Sequence, residues 1–156
     1  MGRLMIRGFR LLAIVGALAL AADFFLGFTG TTEARGRLFH GWFSIATVSL
    51  VVAIHLGVYV YLAATGRRVE ARVREAGLPA WLGVYAERNR RRISRLPWIS
   101  VFTILLAAWL GGEAVARGPV VAAWHLGVWA FATAFNLGSL AVESVAIPGH
   151  FRLIME

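Results

Sequence analysis

Six ionisable side chains stand inside the apolar stretches of this sequence, where an ionisable group is rare. They are Asp23, His40, His55, Glu113, His125 and Glu143. An aspartate at the centre of a membrane helix costs at least roughly 2.5–3.5 kcal/mol to insert, so such residues generally have a function or a buried partner. Each of the six is therefore a candidate site residue.

Four of these side chains point to a metal site. Asp23, His40, Glu113 and His125 come from four different apolar stretches, and a rise of about 1.5 Å per residue places them about 3–9 Å below the outer helix ends. Two carboxylates and two imidazoles suit a first-row divalent metal such as zinc, iron or manganese. Helical bundles build metal sites in this way. The pattern predicts a divalent transition-metal site with a position open for water or substrate. The alternative is a hydrogen-bonded polar cluster without metal, or a cluster that handles protons.

Haem b is the alternative cofactor, since two histidines at matching depth on facing helices can supply both axial ligands. His40 and His125 are the pair that matches. His55 and His125 differ by nearly 18 Å in depth along their helices, which makes them a poor pair. In this version the protein passes electrons to or from quinone.

The last apolar stretch also carries a polar stripe. At about 100° per residue, His125, Asn136, Ser139 and Glu143 fall within about 40° of one line. His55 lies level with Asn136, each about ten residues from the cytoplasmic end of its helix. This pattern predicts an interhelical hydrogen bond; the alternative is a polar path that protons or a quinone headgroup could use.

The tetrapeptide HLGV begins at both His55 and His125, but it is not a sign of duplication. His55 lies deep in its apolar stretch and His125 lies near the start of its own. A true repeat would preserve that position. Depth therefore favours His125 as a ligand and His55 as a structural, hydrogen-bonding histidine.

Composition identifies the elements that must position these residues. The chain has 156 residues, of which 59% are hydrophobic and 15% charged, against about 25% charged in soluble domains. Without cysteine it has no thiolate metal site, iron–sulfur cluster, disulfide or thiol nucleophile. The net charge of +8 comes from arginines at the ends of apolar segments, which excludes a nucleic-acid surface.

Four apolar stretches are long enough to cross a bilayer, which takes roughly 20 helical residues. Their expected bounds are about 11–29, 38–65, 97–116 and 119–146. The first resembles a signal peptide in its basic start, but its apolar run continues through Phe28, so we interpret it as a retained helix. The chain is thus expected to be one membrane domain, an all-α antiparallel bundle of four transmembrane helices.

Arginine placement predicts the orientation of this bundle. Thirteen of the sixteen arginines lie before the first span, between the second and third spans, or after the fourth. The other three, Arg35, Arg37 and Arg117, lie in the remaining two connections. By the positive-inside rule both termini and the basic loop 66–96 face the cytoplasm, as in a bacterial inner-membrane protein.

The basic loop 66–96 has features of its own. RRVEARVREAG reads as an extension of the second helix that ends at Gly77, with Pro79 as a stop signal. After it come apolar residues and then a basic run, a pattern typical of a helix on an anionic membrane surface. The simpler interpretation, which we favour, is that the arginines only enforce topology. The apolar residues are Trp81, Leu82, Val84 and Tyr85.

Three classes of function remain open at this point. The first is a redox or metal-binding membrane protein with its site near the outer face. The second is an accessory subunit of a larger membrane complex without chemistry of its own. The third is a small transporter or proton-conducting protein. No local motif such as HExxH is present, so the sequence does not decide whether the chain is an enzyme.

Overall fold

The computed structural model describes residues 2–29, 34–77, 79–117 and 119–155. Within them the chain forms five α-helices and nothing else but short turns, which confirms the all-α class. The helices are α1 (Gly2–Phe28), α2 (Ala34–Glu75), α3 (Ala80–Ile93), α4 (Arg95–Arg117) and α5 (Pro119–Met155).

The prolines mark where these helices begin. Pro79 precedes α3, Pro97 lies in the first turn of α4, and Pro119 is the first residue of α5. A first-turn proline is tolerated because its missing N–H would have no intrahelical partner there. Pro148 alone lies inside a helix, near the end of α5. The long helical stretches between these points consist mostly of Leu, Ala, Val and Arg.

Four helices are long and apolar enough to cross a membrane, as the sequence predicts. The apolar segments are Ile6–Gly27, Arg35–Glu75, Arg95–Glu113 and Val120–Pro148. Many large apolar side chains on these helices are exposed, among them Leu18, Trp42 and Phe102. Such an exterior suits lipid, and helices suit a bilayer because they satisfy their own backbone hydrogen bonds.

The segment between the second and third spans is itself largely helical. The helix α2 runs on to Glu75, beyond the apolar stretch that would end near residue 65. The chain then turns at Gly77, whose φ of +62° is a left-handed conformation that glycine adopts without strain. The predicted extension of the second helix and its stop at Gly77 are both confirmed.

An apolar core joins the four long helices. Leu20 of α1, Val51 and Ile54 of α2, Ile104 of α4 and Leu140 of α5 are all buried in one cluster. A smaller cluster, which includes Leu62, Ile93 and Ile147, joins α2, α3 and α5.

The large core separates two groups of polar side chains. The Asp23 cluster consists of Asp23, His40 and Ser44, and the His55 cluster of His55, Asn136 and Glu143. Along α2 the core residues Val48, Val51 and Ile54 lie between the two clusters. Along α5 the core residues Trp129 and Ala132 lie between His125 and Asn136.

Candidate cofactor site

The Asp23 cluster connects α1 to α2. Ser44 Oγ donates a hydrogen bond of 2.6 Å to Asp23 Oδ1, and His40 Nδ1 lies 3.3 Å from the same oxygen. His40 and Ser44 are four residues apart, so both face α1 from one side of α2. A carboxylate oxygen that accepts from Ser44 can also accept from His40 Nδ1–H, and this contact leaves Nε2 as the second ring nitrogen for another partner.

Asp23 itself is fully buried. Its second oxygen, Oδ2, has no hydrogen-bond partner within the described part of the chain. A buried polar atom without a partner is uncommon in folded proteins and calls for an explanation such as a bound ligand or ion. This carboxylate therefore has an acceptor position left over beside His40.

His125 of α5 is oriented in a similar way. Its Nδ1 lies 3.0 Å from the backbone oxygen of Ala107 on α4. Since a carbonyl oxygen only accepts, Nδ1 must carry the proton, and Nε2 keeps its lone pair. The ring of Trp129 lies one turn further along α5, with its centroid 6.1 Å from that of His125.

Each of these two histidine rings packs against a glycine. A Cβ atom at Gly27 would lie 3.3 Å from His40 Nε2, and one at Gly111 would lie 2.9 Å from His125 Cε1. A Cβ at Gly112, by contrast, would meet nothing within 4 Å. Gly111 is thus needed for the observed position of its histidine ring, and Gly27 leaves its ring only a tight fit.

His40 and His125 line one cavity between the long helices. The cavity has a volume of about 900 Å³, and its wall also includes Ser44 and Arg37. Val48 and Trp129, two residues of the apolar core, line it as well. Asp23, His40 and His125 lie within electrostatic reach of one another.

The structure therefore brings together part of the predicted metal site. Asp23 and His40 are in contact, and His125 lines the same cavity as His40. Glu113, half-buried near the end of α4, is not among the residues that line this cavity. Within the described ranges, no three His, Asp or Glu side chains are grouped so that they could hold a metal ion.

The His55 cluster lies on the other side of the core. His55 Nδ1 lies 2.9 Å from Glu143 Oε1 and 3.1 Å from Oε2, and its Nε2 lies 3.0 Å from Asn136 Oδ1. All three side chains are fully buried. His55 and Asn136, which the sequence places at one level, are thus in direct contact. Ser139 lies between Asn136 and Glu143 in the sequence, on the same stripe of α5, and it is also buried.

The amide nitrogen of Asn136 donates hydrogen bonds to acceptors on two helices. Asn136 Nδ2 donates to the backbone oxygen of Ala132 at 2.7 Å, to Thr103 Oγ1 at 3.3 Å and to the backbone oxygen of Ser100 at 3.4 Å. The first acceptor is on α5 itself and the other two are on α4. The His55 cluster therefore links α2, α4 and α5 through hydrogen bonds in an apolar surrounding.

Ser44 is readable from the sequence, since it follows His40 at a spacing of four residues and so shares its face of α2. Sequence reasoning missed other contacts that shape the two clusters. The pairing of Glu143 with His55 has no local signal, because no local pattern joins residues from two distant helices. Gly27 and Gly111 are two of many glycines in the chain, and their contact with a histidine ring depends on packing alone.

No family model, curated protein or solved structure matches this chain.

Proposed function

We propose that the chain is an antiparallel four-span protein of an inner membrane such as that of bacteria. Two contacts between α1 and α2 support the antiparallel arrangement. Gly27, near the end of α1, packs on His40, near the start of α2. Gly16, in the middle of α1, packs on Ile54, further along α2. Between α4 and α5, Gly111 meets His125 whereas Thr103 meets Asn136, again in reversed order.

The proposed orientation places both termini and the loop 66–96 in the cytoplasm. Its support is the arginine distribution, thirteen against three, under the positive-inside rule. With this orientation the Asp23 cluster and the cavity lie toward the outer face, and the His55 cluster lies nearer the cytoplasm.

In this bundle we assign the cavity to haem b, with His40 and His125 as axial ligands, in a protein that carries single electrons. One observation carries the proposal: two histidines from different helices line one cavity, and each has Nδ1 tied to an acceptor while Nε2 is left for a ligand. Histidines that bind iron or other metals are commonly held through the second nitrogen in this way.

The same geometry favours haem over a bare divalent ion. A metal ion in a protein usually takes three or four protein ligands, and no such group occurs in the described ranges. A haem needs only two axial ligands, since the porphyrin supplies the others. The cavity of about 900 Å³ also lies within the roughly 300–1,000 Å³ that ligand pockets occupy.

The remaining lining residues have clear roles in such a site. Asp23 and the carbonyl of Ala107 orient the two imidazoles and raise their basicity. Arg37 lines the cavity near the start of α2, where a guanidinium suits the carboxylates of the haem propionates. Bound haem would supply one-electron redox chemistry, and the apolar floor of the cavity would keep water from it. The electron partner is a quinone or another membrane subunit.

Proton conduction through the bundle receives less support. A conducting path needs polar groups or water along its length, whereas Val48, Val51 and Ile54 separate the two polar clusters along α2. These residues belong to the buried apolar core. The structure thus favours two separate polar sites over one continuous path.

The proposal is tested by visible absorption of the protein purified from cells supplied with a haem precursor. We expect a Soret band that shifts on reduction with dithionite. His40→Ala and His125→Ala should each lose most of the bound haem, because each removes an axial ligand. His125→Met should retain haem with an altered spectrum and a raised reduction potential.

Ser49→Ala is the matched control, since Ser49 lines the same cavity and offers no iron ligand. It should bind haem like the wild type. A wild-type protein that shows no Soret band even after addition of hemin would contradict the proposal. Elemental analysis would then test the divalent-metal version, and constant copurifying partners would indicate an accessory subunit.

A further inference from the structure

The His55 cluster is a second site, separate from the cofactor cavity. His55 cannot serve as a metal or haem ligand, because the protein occupies both of its ring nitrogens. It nevertheless sits with a carboxylate in the interior of a membrane bundle, where unpaired ionisable groups are costly. Its chemistry follows from the position of its protons.

The orientation of Asn136 decides the first of these protons. The backbone oxygens of Ala132 and Ser100 only accept hydrogen bonds, so the amide nitrogen of Asn136 must face them. Its oxygen therefore faces His55 Nε2. Because an amide oxygen cannot donate, Nε2 must carry a hydrogen.

A second proton must then lie between His55 Nδ1 and Glu143. Without it, an imidazole lone pair would face an ionised carboxylate at 2.9 Å, and the buried cluster would carry a net negative charge. With it, the pair is either imidazolium and carboxylate or imidazole and carboxylic acid. Both arrangements have the same number of protons and no net charge.

Few other charges act on this pair. Among the described residues, His55 is the titratable group that influences Glu143. The neighbouring α4 contributes the uncharged Ser100 and Thr103, and α1 packs Gly16 against Ile54 and Leu140 beside the pair. Asp23 and His40 belong to the other cluster, beyond the apolar layer. The proton count of the pair therefore depends mainly on its own two members and on charge in the cavity.

The pair lies close beneath the cavity. Val48 and Trp129 line the cavity, and each stands seven residues from a member of the cluster, His55 on α2 and Asn136 on α5. Seven helical residues rise about 10 Å. Glu143 contacts the His55 nitrogen opposite to the one that faces Asn136, so the proton site lies about 10–15 Å from the cavity wall. Two unit charges at this distance interact by roughly two to three times RT at an effective permittivity of about 20, enough to change a proton affinity roughly tenfold.

We propose that the His55–Glu143 pair is an internal proton-binding site that takes up one further proton when the cofactor in the cavity gains an electron. The inference rests on the proposed haem in that cavity. A hydroquinone or a reduced membrane partner supplies the electron, and the aqueous phase supplies the proton. From either arrangement, the added proton leaves a carboxylic acid on Glu143 beside a His55 that is protonated at both nitrogens. The added positive charge offsets the added negative charge on the cofactor.

The first test follows the haem midpoint potential against pH in the purified holoprotein. In the wild type it should fall as pH rises through a window of about one pH unit, as a roughly tenfold change of proton affinity implies. Glu143→Gln should abolish this slope at unchanged haem content. The glutamine amide can donate to an unprotonated His55 Nδ1, so both hydrogen bonds and the fold are kept.

Ser139→Ala is the matched control, because Ser139 is buried on the same face of α5 and does not titrate. It should keep the wild-type slope. A slope that persists unchanged in Glu143→Gln with haem bound overturns the inference and leaves the haem proposal intact. Absence of a Soret band from the wild-type protein overturns the haem proposal instead.

A second measurement reports the proton count directly. Nitrogen NMR of labelled histidine, read with the infrared C=O band of Glu143, should show the equivalent of two protons on the His55–Glu143 pair in the oxidised state. Reduction should raise this count to three, with a carboxylic-acid C=O band from Glu143 beside a His55 protonated at both nitrogens. Glu143→Gln should show neither the band nor the added proton. A His55 with one N–H beside an ionised Glu143 would overturn the inference.

Discussion

The histidines of the membrane segments differ in how many ring nitrogens the protein occupies. His40 and His125 each have one nitrogen held by an acceptor and one left over, whereas His55 has both nitrogens held. Since an iron or metal ligand must offer a lone pair, only the first two suit that role. His55 instead suits a site that stores a proton.

Gly111 gives a residue-scale prediction. Gly111→Ala would place a Cβ 2.9 Å from His125 Cε1, so the ring must move away from the carbonyl of Ala107. We expect haem affinity to fall roughly tenfold or more, as it does when the groups that orient a ligand are disturbed. Haem titration followed at the Soret band measures the effect.

Gly112→Ala is its control, because a Cβ there meets nothing within 4 Å although Gly112 lines the same cavity. This variant adds the same methyl group to the same helix and should bind haem normally. Equal losses of affinity in the two variants would show that the position of His125 does not matter.

Residue types and depths make Asp23, His40 and His125 readable as candidates, because an ionisable side chain in an apolar run stands out. Their partners are not readable. The hydrogen bond from His125 to Ala107 uses a backbone atom that any residue would offer. The contact between His55 and Glu143 spans 88 positions of the chain, and no spacing rule reaches that far.

At the scale of elements, α3 has one face buried against the bundle and another that exposes aromatic and apolar side chains. Ala86 and Ile93 are buried against the bundle, whereas Trp81, Val84 and Tyr85 are exposed. Aromatic and apolar residues followed by arginines are typical of a helix in the headgroup region. Hydropathy predicts this helix poorly as a separate element, because its polar half resembles the end of α2 on the other side of Gly77.

The carboxylate of Glu87 stabilises α3 through two arginines. Arg91 Nε donates to Glu87 Oε1 at 2.5 Å and Arg90 Nε donates to Oε2 at 2.7 Å. These hydrogen bonds, that of Arg91 first, lower the pKa of Glu87 below its ordinary value. A lowered folded-state pKa means that the stabilisation is present above the unfolded value of about 4.3 and is lost as pH falls through the folded value.

We therefore expect α3 to loosen on acidification, which a spin label on Val84→Cys would report as faster motion. Because such pairs within a helix are worth only about 0.3–0.5 kcal/mol, the added substitution Glu87→Gln should raise the mobility of the label slightly at neutral pH and remove most of its pH dependence. Glu75→Gln, which changes a carboxylate on α2 instead, serves as the control. A Glu87→Gln protein with the acid response of the parent would show that these ion pairs do not hold α3.

At the scale of the whole molecule, composition alone predicts the number of membrane helices, because a span has a minimum length and apolar content. Composition does not predict which of these helices pack against one another. That α1 packs on α2 and also on α5, and that α4 packs on both α5 and α2, follows from side-chain fit among many similar Leu, Ala and Val residues. The end of α2, in contrast, is readable from the sequence, because the helix continues through RRVEARVRE and stops at Gly77.

Topology gives the whole-molecule prediction. Because the chain has no cysteine, single cysteines can be labelled without background. Thr29→Cys, exposed at the end of α1, should react with an impermeant maleimide in intact cells. Arg88→Cys, exposed on α3, should react only after the cells are permeabilised. The reverse pattern would invert the proposed orientation.

The buried carboxylate of Asp23 has a consequence for how the protein is made. During synthesis α1 emerges before α2 and carries this group at membrane depth, while Ser44 and His40, its partners, are still to be translated. An isolated α1 would hold an unpaired carboxylate in lipid. We therefore expect the insertion machinery to release α1 and α2 into the bilayer together as a hairpin, so that Asp23 meets its partners before it meets lipid.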